Sequence, residues 1–221
     1  NNGKIDSNSD LLSIVQKVAL LNDRQRIDLL TRLFEIENSC YISYRTVNNA
    51  KINFKTTNDS EDDPSSLVVD FGTSLIANED SEGDTFILKF ANPISEIDAH
   101  VFSENVTSIK LPKIKNLVYK DNARKDVSNL MYIEGEGIQD GNSLVDNNSV
   151  LIVASVSNLQ DYSVPWGVKT MGKDCLRNSK LIRVNVPKTV TQIESCALEG
   201  CNYLKEVYLN GESVINISNH A

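Results

Sequence analysis

The chain has 221 residues, 40% of them apolar and 24% charged, with 30 acidic against 22 basic side chains and a net charge of −8. A chain this long buries about 70% of its unfolded surface, enough for one large or two small domains without covalent staples. It has no apolar run long enough to span a membrane. The acid excess, without any Lys/Arg cluster, excludes a nucleic-acid or anionic-membrane surface.

Residues 1–40 read as helical. Leu11, Leu12, Val15, Val18 and Ala19 form one stripe of 3.6 period, and Ile27, Leu30, Leu33 and Phe34 form a second after a polar break at 22–26. Ser9 or Asp10 is placed to cap the first helix and Asn22 or Asp23 the second. A helical hairpin packed on the rest of the chain is the expectation. A heptad spacing through Leu12, Val15, Ala19, Asn22, Arg26, Leu29, Leu33 and Ile36 leaves a coiled coil open, against which stand the two polar residues at its centre.

From residue 41 the period becomes two. Residues 41–47 and 51–57 are β-rich and flank Asn48-Asn49-Ala50, which predicts a hairpin. The apolar-free stretch 57–64 predicts a solvated loop. Its carboxylates suit a hard cation but lack the ordered oxygen spacing of a calcium loop. Strands come next at 67–71 and 75–77, then a turn at 80–84 containing Gly83 and a strand at 85–90. This small β-hairpin region, 41–92, reads as the lead-in or cap of a repetitive region that starts beyond it.

Beyond residue 92 the chain repeats itself. Val168-x-x-Met171-x-x-x-Cys175-Leu176 and Val190-x-x-Ile193-x-x-x-Ala197-Leu198 superpose at an offset of 22 residues. Leu181-x-x-Val184-x-Val186-Pro187 matches Leu204-x-x-Val207-x-Leu209 downstream, and Leu159-x-x-Tyr162-x-Val164-Pro165 upstream. A further copy runs through Ile97, Val101, Phe102, Ile109, Leu111 and Pro112, and residues 113–158 read as a divergent insertion. In each unit the second block alternates with period two and ends at proline, as a strand does. The first block places apolar residues one turn apart over a core. A single unit cannot bury its own face, whereas stacked units share one interior, and a period in the low twenties is that of leucine-rich repeats. Strands ending near Pro112, Pro165, Pro187 and Asn210 are therefore expected side by side, with Val184 and Val207 inward.

Ile193-Glu-Ser-Cys-Ala197-Leu198-Glu-Gly200-Cys201-Asn-Tyr-Leu204-Lys-Glu-Val207-Tyr-Leu209 resembles the BspA-type leucine-rich repeat of bacterial surface proteins. Phe71-Gly72, the hairpin after it and Ile94 to Phe102 resemble the lead-in and first repeat of such proteins in gut Bacteroides, and Asp140 to Val145 through Val164-Pro165 resembles the strand insertion before the last repeats. The resemblance spans about residues 67–211. The family's Phe is Leu176 and Leu198 here, and its Gly is Asp98 and Glu194. The fold class it implies is α+β: an N-terminal helical segment (1–40), the β-hairpin region (41–92), and a short solenoid (93–221) with an insertion at 113–158. It also implies a non-catalytic, exported protein, surface-held or secreted, engaged in adhesion or protein recognition. Opening on Asn1 rather than Met suggests a removed targeting segment.

No catalytic constellation is present: there is no G-x-S-x-G elbow, phosphate-binding glycine loop or H-E-x-x-H. His100 reads as an exposed position in a repeat turn and His220 as a frayed end. Cys40, Cys175, Cys196 and Cys201 read as buried thiols, with one disulfide or a metal role left open. Cys201 matches the family's own cysteine. No cofactor is implied. The candidate ligand surface is the outward strand face, a column of Ser108, Asp161, Arg183 and Glu206 beside a column of Lys110, Ser163, Asn185 and Tyr208. Trp166 is either an exposed anchor or a cap over the core edge. The expected partner is an unknown protein or, alternatively, a glycan, with self-association through residues 1–38 as a third reading.

Overall fold

The computed structural model describes residues 8–59, 63–211 and 216–221, and within the helices the side chains from Leu12 onward except Glu37. The chain divides into two compact units, Asn1–Asn38 and Ser39–Ala221.

The first unit holds helices α1 (Asn8–Ala19) and α2 (Asp23–Asn38). Ser9 and Asp10 lie inside α1 rather than capping it, and the Leu11 side chain is outside the described residues. Asn22 does cap α2: its Oδ1 accepts from Gln25 N at 2.9 Å, and its own N–H donates to Gln25 Oε1 at 3.0 Å. Leu12, Val15, Ile27, Leu30, Leu33 and Phe34 are all exposed. A stripe of this kind is buried only where tertiary packing supplies a partner for it.

The second unit is built from coils, each a short strand, a tight turn and a second strand. Five succeed one another: Glu96–Ile97 with Val106–Lys110, Val118–Tyr119 with Tyr132–Glu134, Val150–Ala154 with Asp161–Ser163, Thr170–Met171 with Arg183–Pro187, and Gln192–Ile193 with Glu206–Asn210. Asn216–Ile217 adds the next short strand, pairing in parallel with Gln192–Ile193. This architecture is an α+β solenoid of leucine-rich-repeat type.

Register explains the recurring sequence. Ile97 lies opposite Tyr119, and Leu151, Met171, Ile193 and Ile217 align in the same way in the later coils. Four residues on come Val101, Ala123, Ser155, Cys175 and Ala197, and five on come Phe102, Arg124, Val156, Leu176 and Leu198. The second coil therefore lies inside the stretch read as an insertion. Its first strand sits 22 residues after that of the first coil, in parallel register. Two departures hide it. Arg124 stands where the other coils carry Phe, Val or Leu, and Gly135 replaces an inward strand residue. A Cβ on Gly135 would lie 2.9 Å from Leu111 Cβ.

The remaining insertion is a pair of antiparallel strands, Ile138–Gln139 and Ser143–Val145, laid against Val150–Ala154. They interrupt the stack, so the long strands fall into two sheets. Asp161–Ser163, Arg183–Pro187 and Glu206–Asn210 form a parallel three-stranded sheet, as expected. Val106–Lys110 does not join it. It lies in a five-stranded sheet, parallel to Tyr132–Glu134 and antiparallel to Tyr41–Thr46.

The predicted hairpin at 41–57 does not form. Tyr41–Thr46 pairs with Thr85–Phe90 on one side and with the first coil on the other, while residues 51–57 contribute one bridge, Phe54 to Leu67. The strand read at 67–71 is likewise reduced to that bridge. The hairpin of Leu75–Ser81 and Thr85–Phe90 forms around Gly83. Of the loop at 57–64, residues 60–62 lie outside the described residues, and the cation reading falls partly on them.

One core runs through the second unit, from Ile42 and Phe71 through Ile109 and Ile133 to Val184 and Val190. Val184 is fully buried, but Val207, the same position one coil on, is 40% exposed. Its strand is the sheet's last, with no further strand beyond it among the described residues. The core also encloses a carboxylate. Asp98, at the position of the family's glycine, is fully buried and accepts from Asp70 N, His100 N and Asn122 Nδ2 at 2.8, 3.0 and 2.9 Å, with His100 Nδ1 at 2.7 Å. It thereby ties the lead-in to the first two coils. His100 is half-buried over it rather than exposed.

Burial alone pushes the Asp98 carboxyl up, but the hydrogen bonds from His100, Asp70 and Asn122 outweigh it and hold the group below its ordinary range. Its stabilisation is therefore present at neutral pH and is lost as pH falls through the lowered value. Asp98→Ala is expected to cost about 3 kcal/mol at neutral pH, and the gap from wild type should close in acid. Urea unfolding at a series of pH values reads both. In the same assay Leu181→Ala, at a fully buried position, should cost about 3 kcal/mol, while Leu209→Ala at the open end should cost less than about 1 kcal/mol.

Candidate recognition surface

The three-stranded sheet sets two columns of outward side chains in register. Asp161, Arg183 and Glu206 align in one, and Ser163, Asn185 and Tyr208 in the other. Alternation forces this arrangement, because Tyr162, Val184 and Val186 between them face the core. Within the first column Arg183 binds Asp161 with both ends of its guanidinium, Nε to Oδ1 at 2.6 Å and Nη2 to Oδ2 at 2.9 Å. That pairing holds the Asp161 carboxyl below its usual range and raises Arg183 further. In the second column Asn185 Nδ2 donates to Ser163 Oγ at 3.2 Å, and the Tyr208 hydroxyl donates to Glu206 Oε2 at 2.8 Å. Each side chain is thus held by its neighbour, which fixes the face before any partner arrives.

Ser108 and Lys110 stand apart from these columns, in the five-stranded sheet. Their register partners are Tyr132 and Glu134. Glu134 accepts from the Tyr132 hydroxyl at 3.1 Å and lies 3.3 Å from Lys110 Nζ. That pair has the residue types of the Glu206–Tyr208 pair in reversed order, and its strand follows the first coil's by 24 residues (Ser108 to Tyr132), off the 22- or 23-residue offset of the later coils.

Trp166, in the turn just past the Asp161–Ser163 strand, is 66% exposed, and Lys188 Nζ lies 5.7 Å from its ring centroid. Lys188 comes one repeat after Trp166, so the two share a position at the strand ends. The ring caps no core edge, and Tyr208, 48% exposed, is the other large aromatic of this face.

The chemistry available here is hydrogen bonding, a charge column of two carboxylates and one guanidinium, and aromatic contact. Among the described residues no group of three or more His, Cys, Asp or Glu side chains is placed to hold a metal ion. No described helix is long and apolar enough to cross a membrane. Cys175 is a buried thiol, and Cys40, Cys196 and Cys201 are half-buried thiols.

A profile described as the BspA type leucine rich repeat region (6 copies) matches residues 153–221. The chain carries a BspA-type leucine-rich repeat region. The match takes in the three-stranded sheet and the last short strands. The first two coils have the same strand–turn–strand plan as the later ones and lie outside the matched stretch. No curated protein and no solved structure matches the chain.

Cys175 fills the repeat's small apolar position, and burial pushes its thiol up to about 12. It should resist alkylation by iodoacetamide in the folded protein and react fully after denaturation, as read by peptide mass mapping.

Proposed function

We propose that this protein is a non-catalytic recognition module, exported and either surface-held or secreted, that docks a partner protein on the strand face of its last three coils. The observation that carries the reading is the preset pair of columns, Asp161-Arg183-Glu206 and Ser163-Asn185-Tyr208, with Trp166 exposed beside them. Aromatic and arginine side chains are the usual anchors of protein interfaces, and this face offers both within one rigid sheet. BspA-type repeats suggest protein–protein interaction, and stacked repeats supply an extended surface for it. Ser108 and Lys110, with Tyr132 and Glu134, form a separate polar face and belong to the proposal only as a second patch. Two exposed aromatics also support glycan binding as the second reading, since sugar rings stack on such faces.

Immobilised extracellular-matrix proteins and a glycan array, probed with the full chain, separate the two. Saturable binding to one defined matrix protein that falls about tenfold in Tyr208→Ala and in Trp166→Ala supports the proposal. Binding confined to glycans moves the assignment to the second reading. Binding to neither, or protein binding unaffected by both substitutions, overturns the role of this face.

A further inference from the structure

A groove of about 540 Å³ lies on the second unit away from the strand face, between residues 46–53 of the lead-in, the turn at 103–105, and Arg124, Asp126 and Arg177. Its size is that of a small-ligand site. Its origin is the break that Arg124 makes in the repeat pattern of the second coil. Where Phe102, Leu176 and Leu198 stand in other coils, Arg124 stands here, 47% exposed on its side chain, and its guanidinium reaches Asp174 Oδ1 from Nε at 3.0 Å and Glu199 Oε1 from Nη2 at 2.7 Å. Asp174 is fully buried, so this arginine is anchored from behind and its Nη1 has no partner among the described residues. Arg177 is held in the same way, by Glu199 at 3.4 Å and Asp126 at 3.6 Å.

The rest of the lining mixes donors and acceptors, with the amides of Asn48, Asn53 and Asn105 among them. Asp126 is already engaged by Ser128 N, Asn178 Nδ2 and Arg177. Lys51 Nζ lies 3.8 Å from Asp80, with both side chains exposed. Ser103 Oγ is buried without any hydrogen-bond partner among the described residues, a costly state for a hydroxyl unless something fills it. Glu104 is the one other carboxylate of the lining. Two anchored arginines and a lysine line this open space, with the orphan Ser103 hydroxyl buried behind its wall, in a chain whose net charge is −8.

We infer that this groove binds a carboxylate group, with Arg124 Nη1 as its charged donor, Ser103 Oγ as its buried donor and Lys51 at the rim. A guanidinium fixed by carboxylates behind it is preorganised for that task, and its charge-assisted hydrogen bonds are stronger than neutral ones. The carboxylate can come from a peptide C-terminus or from an acidic sugar; the groove chemistry is the same for both.

The test titrates the full chain, monitored by ¹H–¹⁵N NMR, with two matched pairs: a tripeptide bearing a free C-terminus against its amide, and glucuronate against glucose. The expected result is a saturable shift at the Ser103 and Asn105 amides and the Arg124 Nε–H for at least one carboxylate and not for its neutral counterpart. The pair that responds identifies the source. Arg124→Gln should weaken binding about tenfold, and Ser103→Ala about fivefold. Ser103→Ala removes only an unpartnered atom, so its melting temperature should stay level or rise. It keeps the proposal open to refutation if Arg124→Gln does not fold, as does the exposed Lys51→Gln. Equal response to charged and neutral members, no response to either carboxylate, or unchanged binding in Ser103→Ala and Lys51→Gln overturns the assignment.

Discussion

Everything in the second unit depends on in-register parallel stacking. When Asp161, Arg183 and Glu206 align, so do Tyr162, Val184 and Val207, and the same hydrogen-bonded ladder that orders the outer face closes the core. Neither half is stable alone. A coil of about 22 residues has too few apolar side chains to offset its ordering entropy, and an unstacked strand leaves its backbone polar groups to water. The outward columns are thus a by-product of core formation, and their spacing is fixed by the ladder rather than by the side chains that occupy them.

The stack also explains which polar groups the interior tolerates. Asp98 and Asp174 are both fully buried, and both stand in the tight turn between a coil's two strands. Asp98 collects two backbone N–H groups and the Asn122 amide there, while Asp174 takes Arg124 from another coil on Oδ1 and leaves Oδ2 without a partner among the described residues. The left-handed position of the same turn is taken by Asp174, Cys196 and His220, with φ of 56°, 60° and 59°. Its conformation is therefore imposed by the coil rather than chosen by a glycine.

The late coils are legible in the sequence because each inward position carries an apolar residue at a constant offset: Met171, Cys175 and Leu176 set against Ile193, Ala197 and Leu198. The second coil is hidden by the two residues that break that offset pattern, Arg124 and Gly135. Period-two alternation identifies Tyr41–Thr46 as a strand, but it carries no information on partners. Asn48-Asn49-Ala50 looks like a hairpin turn, yet the partners lie forty or more residues downstream, at Thr85–Phe90 and Val106–Lys110. The outward columns are readable for the same reason as the core, except where the antiparallel insertion splits the stack and removes Ser108 and Lys110 from them. The groove is not readable, because it is made by residues from the lead-in, the first two coils and the fourth, which no periodicity links.

Arg124 has one further effect. In most solenoids each repeat touches only its neighbours, and the energy is a sum of adjacent terms that lets end coils fray one at a time. Here a side chain of the second coil is bonded to Asp174 in the fourth and Glu199 in the fifth. Peeling off the last coil must break a link to the first half of the stack, so the array is coupled beyond nearest neighbours and melts more nearly as one body than its repetitive plan implies.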